Sequence, residues 1–192
     1  MGDVWLDLVP KDPFVQVDLN LLVPGLIRAG FITGARLEDK FTRGTGYLAG
    51  PQFLSYFEIK QMPQYLRWVA PNYPMLSVEI VQTYPAWKWH FSFASDRVTP
   101  ACEACQGKVA ECLADIFASW HDAEDKAAHR YECVHCGQLQ SLWDLDWDHR
   151  AGVSRTHLHL FSCTSDMVHK QDLCGLLAEV SHTEWTYIDG WT

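Results

Sequence analysis

Four cysteines carry the strongest chemical signal in the chain: Cys102-Glu103-Ala104-Cys105 and, after residues 106–132, Cys133-Val134-His135-Cys136-Gly137. Two residues between thiolates let both sulfurs of a tight turn face one ion, and Gly137 supplies a permissive backbone just beyond the second turn. Two such turns complete a tetrahedron, so Cys102, Cys105, Cys133 and Cys136 are the expected ligands of a structural Zn2+. Four thiolates fill the shell and leave no open position for catalysis. Competing readings are weaker. Ordinary reduced thiols would not need this spacing, and a redox pair at Cys102 and Cys105 lacks the Cys-Gly-Pro-Cys core. A deaminase-type zinc site needs a His-x-Glu upstream, whereas His90-Phe91-Ser92 offers no glutamate.

The two cysteine turns resemble the knuckles of zinc ribbons over residues 100–140. The resemblance implies a small zinc-stapled module, here carrying a helical insert between its halves, and it is shared by proteins of many unrelated functions.

Two further groups deserve weighing. Asp144, Asp146 and Asp148 alternate with Leu145 and Trp147, imitating the opening of a calcium loop, but His149 stands at the glycine position and Arg155 at the closing glutamate. A solvated acidic strand face, available for partner binding, is the expectation. His157 and His159 are spaced to share one strand face, and with Asp148, His149 or His169 they could assemble a second, catalytic metal site. Strand histidines more often find a protein partner. Cys112, Cys163 and Cys174 remain, of which Cys112 and Cys174 sit among helix-core residues and read as small buried hydrophobes.

The elements that must position these groups follow from periodicity. Asp18 is placed to cap an apolar helix, although Pro24-Gly25 argues against an unbroken one. Residues 13–18 alternate like a short strand, glycine-rich residues 30–50 read as loop, and residues 51–69 fit helix or strand. Leu76–Val81 and Trp87–Phe93 alternate around Thr83-Tyr84-Pro85-Ala86, which predicts an aromatic hairpin. Val109, Leu113, Ile116, Phe117 and Trp120 mark a helix over 107–120. Strands follow at Trp143–Asp148, Ser154–Ser162 and Glu184–Ile188, with a helix between the last two capped by Ser165 or Asp166 and burying Leu173, Leu176, Leu177 and Val180. The expected class is α+β with mixed or antiparallel pairing.

Charge divides the chain. Of 192 residues and a net charge of -9, residues 1–100 hold 9 basic and 9 acidic side chains, while residues 101–192 hold 6 and 15. A neutral N-terminal part with the aromatic hairpin and an acidic zinc-binding part are expected, as two units or one continuous domain. The acidic half opposes direct nucleic-acid binding, which depends on neutralising phosphates. No apolar run is long enough to span a bilayer, no signal peptide is read at the start, and an odd cysteine count with two Cys-x-x-Cys pairs suits a reducing cytoplasm. The leading functional expectation is a non-enzymatic, zinc-stabilised interaction module docking on a basic protein, in one version an inhibitor or immunity-type protein, with Asp144, Asp146 and Asp148 as contacts. The alternatives are a metal-dependent hydrolase built on His157 and His159, and a subunit of a larger nucleoprotein complex.

Overall fold

A computed structural model describes residues 4–37, 44–59, 77–82, 88–91, 99–109, 112–160, 167–169 and 171–191. The fold is α+β. Strands β1 (Val4–Pro10), β2 (Ile32–Leu37), β3 (Thr45–Ala49), β5 (Ser77–Gln82), β10 (Thr156–Leu160) and β12 (Trp185–Trp191) form one six-stranded sheet in the order β12-β1-β10-β5-β3-β2. Every pairing in it is antiparallel. The order interleaves the two halves of the sequence: β10 and β12 flank β1. Two-stranded ribbons pair β4 (Phe57–Ile59) with β11 (Met167–His169), β6 (Lys88–Phe91) with β9 (Ala151–Ser154), and β7 (Tyr131–Glu132) with β8 (Leu139–Gln140). The α-helices among the described residues are α1 (Leu19–Arg28), α2 (Leu113–Asp122) and α3 (Gln171–Ser181).

Period-two patterning gives the sheet two faces. Leu6, Leu8, Val78, Ile80, Leu158 and Leu160 point to one side and share a core with Leu22 and Leu26 of α1 and Leu173 and Leu177 of α3. On the opposite face Asp7, Val9, Glu79, Val81 and His157 are also buried. That side is covered by the β6–β9 ribbon, where Gly152 lies so close to Ile188 and Val9 that a Cβ would stand 2.8 Å from Ile188 Cδ1. A second core, Val109, Ile116, Trp120, Leu142, Leu145, Trp147 and Ala151, fills the cysteine-bearing end, with Trp89 packed against Phe117, Trp120 and Trp147.

Several expectations need correction. The aromatic hairpin does not form: β5 pairs with β3 and β10, and β6 pairs with β9, because β5 can bury both faces only inside the large sheet. Its turn, with Trp87 and Phe93, lies outside the described residues. Gly30–Gly50 contains β2 and β3 rather than loop alone, and residues 15–18 are irregular. Helix α1 runs through Pro24, whose exposed position lets the Asn20 carbonyl left without an amide face solvent. Asp18 caps it as expected, Oδ1 accepting from the Asn20 amide at 2.8 Å. Residues 53–56 form a 3-10 turn leading into β4, while residues 60–69, including Trp68, lie outside the described residues, as do Cys163, Ser165 and Asp166.

Helix α1 meets α3 at Gly25, where an added Cβ would stand 2.6 Å from Val180 Cβ. Alanine gains about 1 kcal/mol of helix propensity over glycine, but overpacking a fixed Cβ costs roughly 1–3 kcal/mol. Gly25→Ala is therefore expected to lower stability in denaturant unfolding despite its helix preference.

Candidate metal centre

Both cysteine pairs sit on the same backbone device. The Cys102 amide donates to the Gly107 carbonyl (2.9 Å) and the Gln106 amide to the Cys102 carbonyl (2.8 Å); Cys133 with Gln138 (2.9 Å) and Gly137 with Cys133 (2.8 Å) repeat the pattern. The residue after each second cysteine takes a left-handed backbone: Gln106 at φ 59° and Gly137 at φ 72°. Each turn closes a short antiparallel pairing, Ala101 opposite Lys108 and Glu132 opposite Leu139. This usage explains why α2 begins at Leu113 and not near 107: residues 107–109 are committed to the first knuckle, with the Val109 amide bonded to the Pro100 carbonyl at 3.0 Å.

The knuckles face each other. All four sulfurs lie within 4.8 Å of one another, with Cys102 to Cys136 and Cys105 to Cys133 each 3.9 Å apart. A disulfide needs about 2.05 Å, whereas four thiolates 2.3 Å from a central ion stand about 3.8 Å apart. The donors therefore fit a four-coordinate metal ion, and their identity as soft thiols restricts the choice of ion. Cys102 and Cys133 are buried; Cys105 and Cys136 are exposed.

The surroundings prepare the charge unevenly. Burial opposes the Cys102 thiolate, but the amides of Cys105 and Ala104, with the Cys105 and Gln140 side chains, outweigh it and bring the thiol down to about 6. At Cys136 the Gln138 amide favours the thiolate, yet burial and the neighbouring sulfurs push it up to about 12. Cys105 is raised as well, the Gly107 amide being outweighed by burial and by Cys102 and Cys133. Thiols brought this close resist ionising side by side, and a divalent cation would remove that penalty. Burial, reinforced by Cys102, Cys133, Cys112 and Asp144, pushes the Tyr131 phenol above its ordinary range.

The knuckles are joined to one another and to the acidic segment. His135 Nε2 lies 2.8 Å from the Lys108 carbonyl, and its ring packs against Gly107, where a side chain would collide with it. Ala101 and Asp146 exchange both backbone hydrogen bonds, 3.0 and 2.9 Å. The residue preceding Cys102 thus anchors the acidic loop. That loop is not the strand expected for Trp143–Asp148: Leu142–Asp144 is a 3-10 turn, closed by a capping box in which Asp144 accepts from the Ser141 amide at 2.8 Å. Inside–outside alternation survives, with Leu145 and Trp147 buried and Asp144, Asp146 and Asp148 exposed, because Trp147 is held by its indole N–H on the Leu142 carbonyl (3.0 Å). The Asp146 carboxylate accepts from the Asp148 amide at 3.0 Å, and Asp148 and His149 follow in left-handed conformations.

The histidines do not join the centre. Among the described residues the four cysteines are the one group of three or more ligand-type side chains whose donors converge. His157 is buried in the sheet, His159 Nδ1 bonds Asp7 Oδ1 at 2.6 Å on the neighbouring strand, and His149 stacks on Tyr187 at 4.1 Å. The His169 side chain lies outside the described residues. Cys112 Sγ donates to the Val109 carbonyl at 3.4 Å, and Cys174 is half-buried against the first core, its thiol raised by burial. Sequence reading missed Gln106, Gly107, Gln140 and the Ala101–Asp146 pairing. Superposing the two Cys-x-x-Cys turns would have revealed Gln106 as the counterpart of Gly137.

That equivalence is testable. A left-handed L-residue costs roughly 1–2 kcal/mol relative to glycine, so Gln106→Gly should stabilise the metal-loaded protein and Gly137→Ala destabilise it, each by about 1 kcal/mol in thermal unfolding. Cys102→Ser and Cys133→Ser should abolish metal retention, while Cys105→Ser and Cys136→Ser, at exposed positions open to a replacement water ligand, should retain a weakened site, as read by metal content after gel filtration. No protein-family model, curated protein or solved structure matches the chain, so its function has to be read from the thiol cluster and the surfaces it holds in place.

Proposed function

We propose that the protein is a non-enzymatic interaction module in which one structural Zn2+ on Cys102, Cys105, Cys133 and Cys136 holds a zinc-ribbon-like segment, and through it an acidic docking loop, against the six-stranded sheet. The observation that carries this reading is the convergence of four thiols at tetrahedral spacing directly beside the Ala101–Asp146 pairing. A full thiolate shell stabilises structure and leaves the ion no place for substrate. Its four thiolates on one divalent ion add about two negative charges to the half of the chain that already holds 15 acidic residues against 6 basic ones.

The partner fitted by this surface is a basic protein, steered by opposite potential and sensitive to salt. Asp144, Asp146 and Asp148 are the contact residues we assign, all three exposed on one loop. Their roles differ: Asp144 is turned back onto the Ser141 amide, while the Asp148 carboxylate makes no hydrogen bond to a described residue. Asp148 is therefore the one most free to meet a partner's cation. An inhibitor that covers a cationic site on its target is one form this activity would take. The compartment we assign is a reducing one, the cytoplasm, where thiols remain available to the metal.

Elemental analysis of the native-purified chain should give one zinc per protein, and a cationic partner captured at low salt should be released as salt is raised. Asp146→Asn with Asp148→Asn should weaken that capture at least tenfold, about 1.4 kcal/mol, without changing zinc content. Capture insensitive to both salt and these substitutions would contradict the docking role.

A further inference from the structure

We propose that the cavity between the end of β1 and the Trp143–His149 loop is a socket for a single lysine or arginine side chain of that basic partner, an assignment that rests on the docking role above. The cavity measures about 270 Å3. Pockets built for drug-sized ligands and cofactors run from roughly 300 to 1,000 Å3, so this one suits an inserted side chain better. It is lined by Trp143, Trp147 and Tyr187, by the aliphatic surfaces of Val9 and Val153, and by Asp146 and Asp148.

The lining selects a cation. Ring faces attract ammonium and guanidinium groups, more strongly as the charge is desolvated, and the aliphatic surfaces suit the methylene stem that precedes the charge. One lining ring already meets a cation of this chain, Arg130 standing 5.9 Å from the Trp143 centroid. An anion would meet two carboxylates. A neutral apolar side chain would cover those carboxylates without giving them a counter-charge, which is unfavourable. The one lysine at the cavity, Lys11, has its ammonium engaged by Glu184 at 3.1 Å.

The socket is preformed, which lowers the entropic cost of binding. Asp146 is fixed at its backbone by Ala101 and at its carboxylate by the Asp148 amide. His149 stacks flat on Tyr187, with 9° between the rings, and closes one wall. Asp148 and His149 hold their left-handed backbones at this rim, and they belong to the residue types that tolerate that conformation best.

The test uses the full metal-loaded chain, amide NMR, and three probes of matched size: the N-acetyl methylamides of lysine, arginine and norleucine. The lysine or arginine probe should shift resonances of residues 146–149 and 186–187 saturably, and norleucine should not. Asp148→Asn, which keeps a side chain suited to φ 48°, should weaken the cationic probe about tenfold with the remaining spectrum unchanged. Equal shifts from norleucine, or cationic shifts absent or mapping elsewhere, would overturn the socket. Hexalysine separates the two levels: salt-sensitive hexalysine binding without these shifts removes the socket and leaves the acidic docking surface, while no hexalysine binding at low salt removes both.

Discussion

Four thiols that cannot comfortably ionise together are the constraint on which the cysteine-bearing half depends. Without a cation, burial and neighbouring sulfurs raise Cys105 and Cys136 while the local amides favour charge at Cys102. The amide donors already favour one thiolate, and a cation would be needed for Cys105 and Cys136 to ionise beside it. Each knuckle is a few residues long, and β7 with β8 contributes only two residue pairs. Such ribbons have little independent stability; a shared ion would make two marginal turns into one unit.

From that unit the dependence runs outward in both directions. The Ala101–Asp146 pairing passes the position of Cys102 to the acidic loop, and Trp147 of the same loop enters the second core with Trp89 and Trp120. Residues Ala151–Ser154, just beyond, form β9 over the buried polar face of the main sheet. The thiol cluster, the acidic loop and the ribbon strand that lies over β1 and β12 are consecutive links of one chain segment. By contrast the opposite face, with α1 and α3, is closed by aliphatic and aromatic packing, Phe31 against Phe53 and Phe53 against Phe57 included, and holds none of the four clustered cysteines.

The thiol cluster was legible because thiolate chemistry imposes its spacing locally: Cys102, Cys105, Cys133 and Cys136 had only to be read in pairs. The α+β class, the Asp18 cap of α1 and the apolar stripes of α2 and α3 followed from local periodicity in the same way. What could not be read was non-local pairing. Alternation in Ser77–Gln82 and Lys88–Phe91 marks strands but not partners, and only the competing edges of β3, β9 and β10 decide that neither pairs with the other. Likewise Leu145 and Trp147 face inward in a loop as regularly as they would in a strand, because a side-chain hydrogen bond and a capping box fix them. His157 and His159 were misleading for a related reason: the same period of two that places imidazoles on one face also places Asp7 beside His159 across the sheet.

Amide hydrogen exchange with and without metal tests the link from thiols to acidic loop most directly. Structural zinc in small fingers contributes on the order of 10 kcal/mol, so chelation should strip protection from residues 99–109 and 131–149, including the Asp146 amide, while β1, β5 and β10 stay protected. Retained protection at Asp146 and the two knuckles in the metal-free chain, or loss spread evenly through the six-stranded sheet, would contradict the dependence of the acidic loop on the thiol cluster.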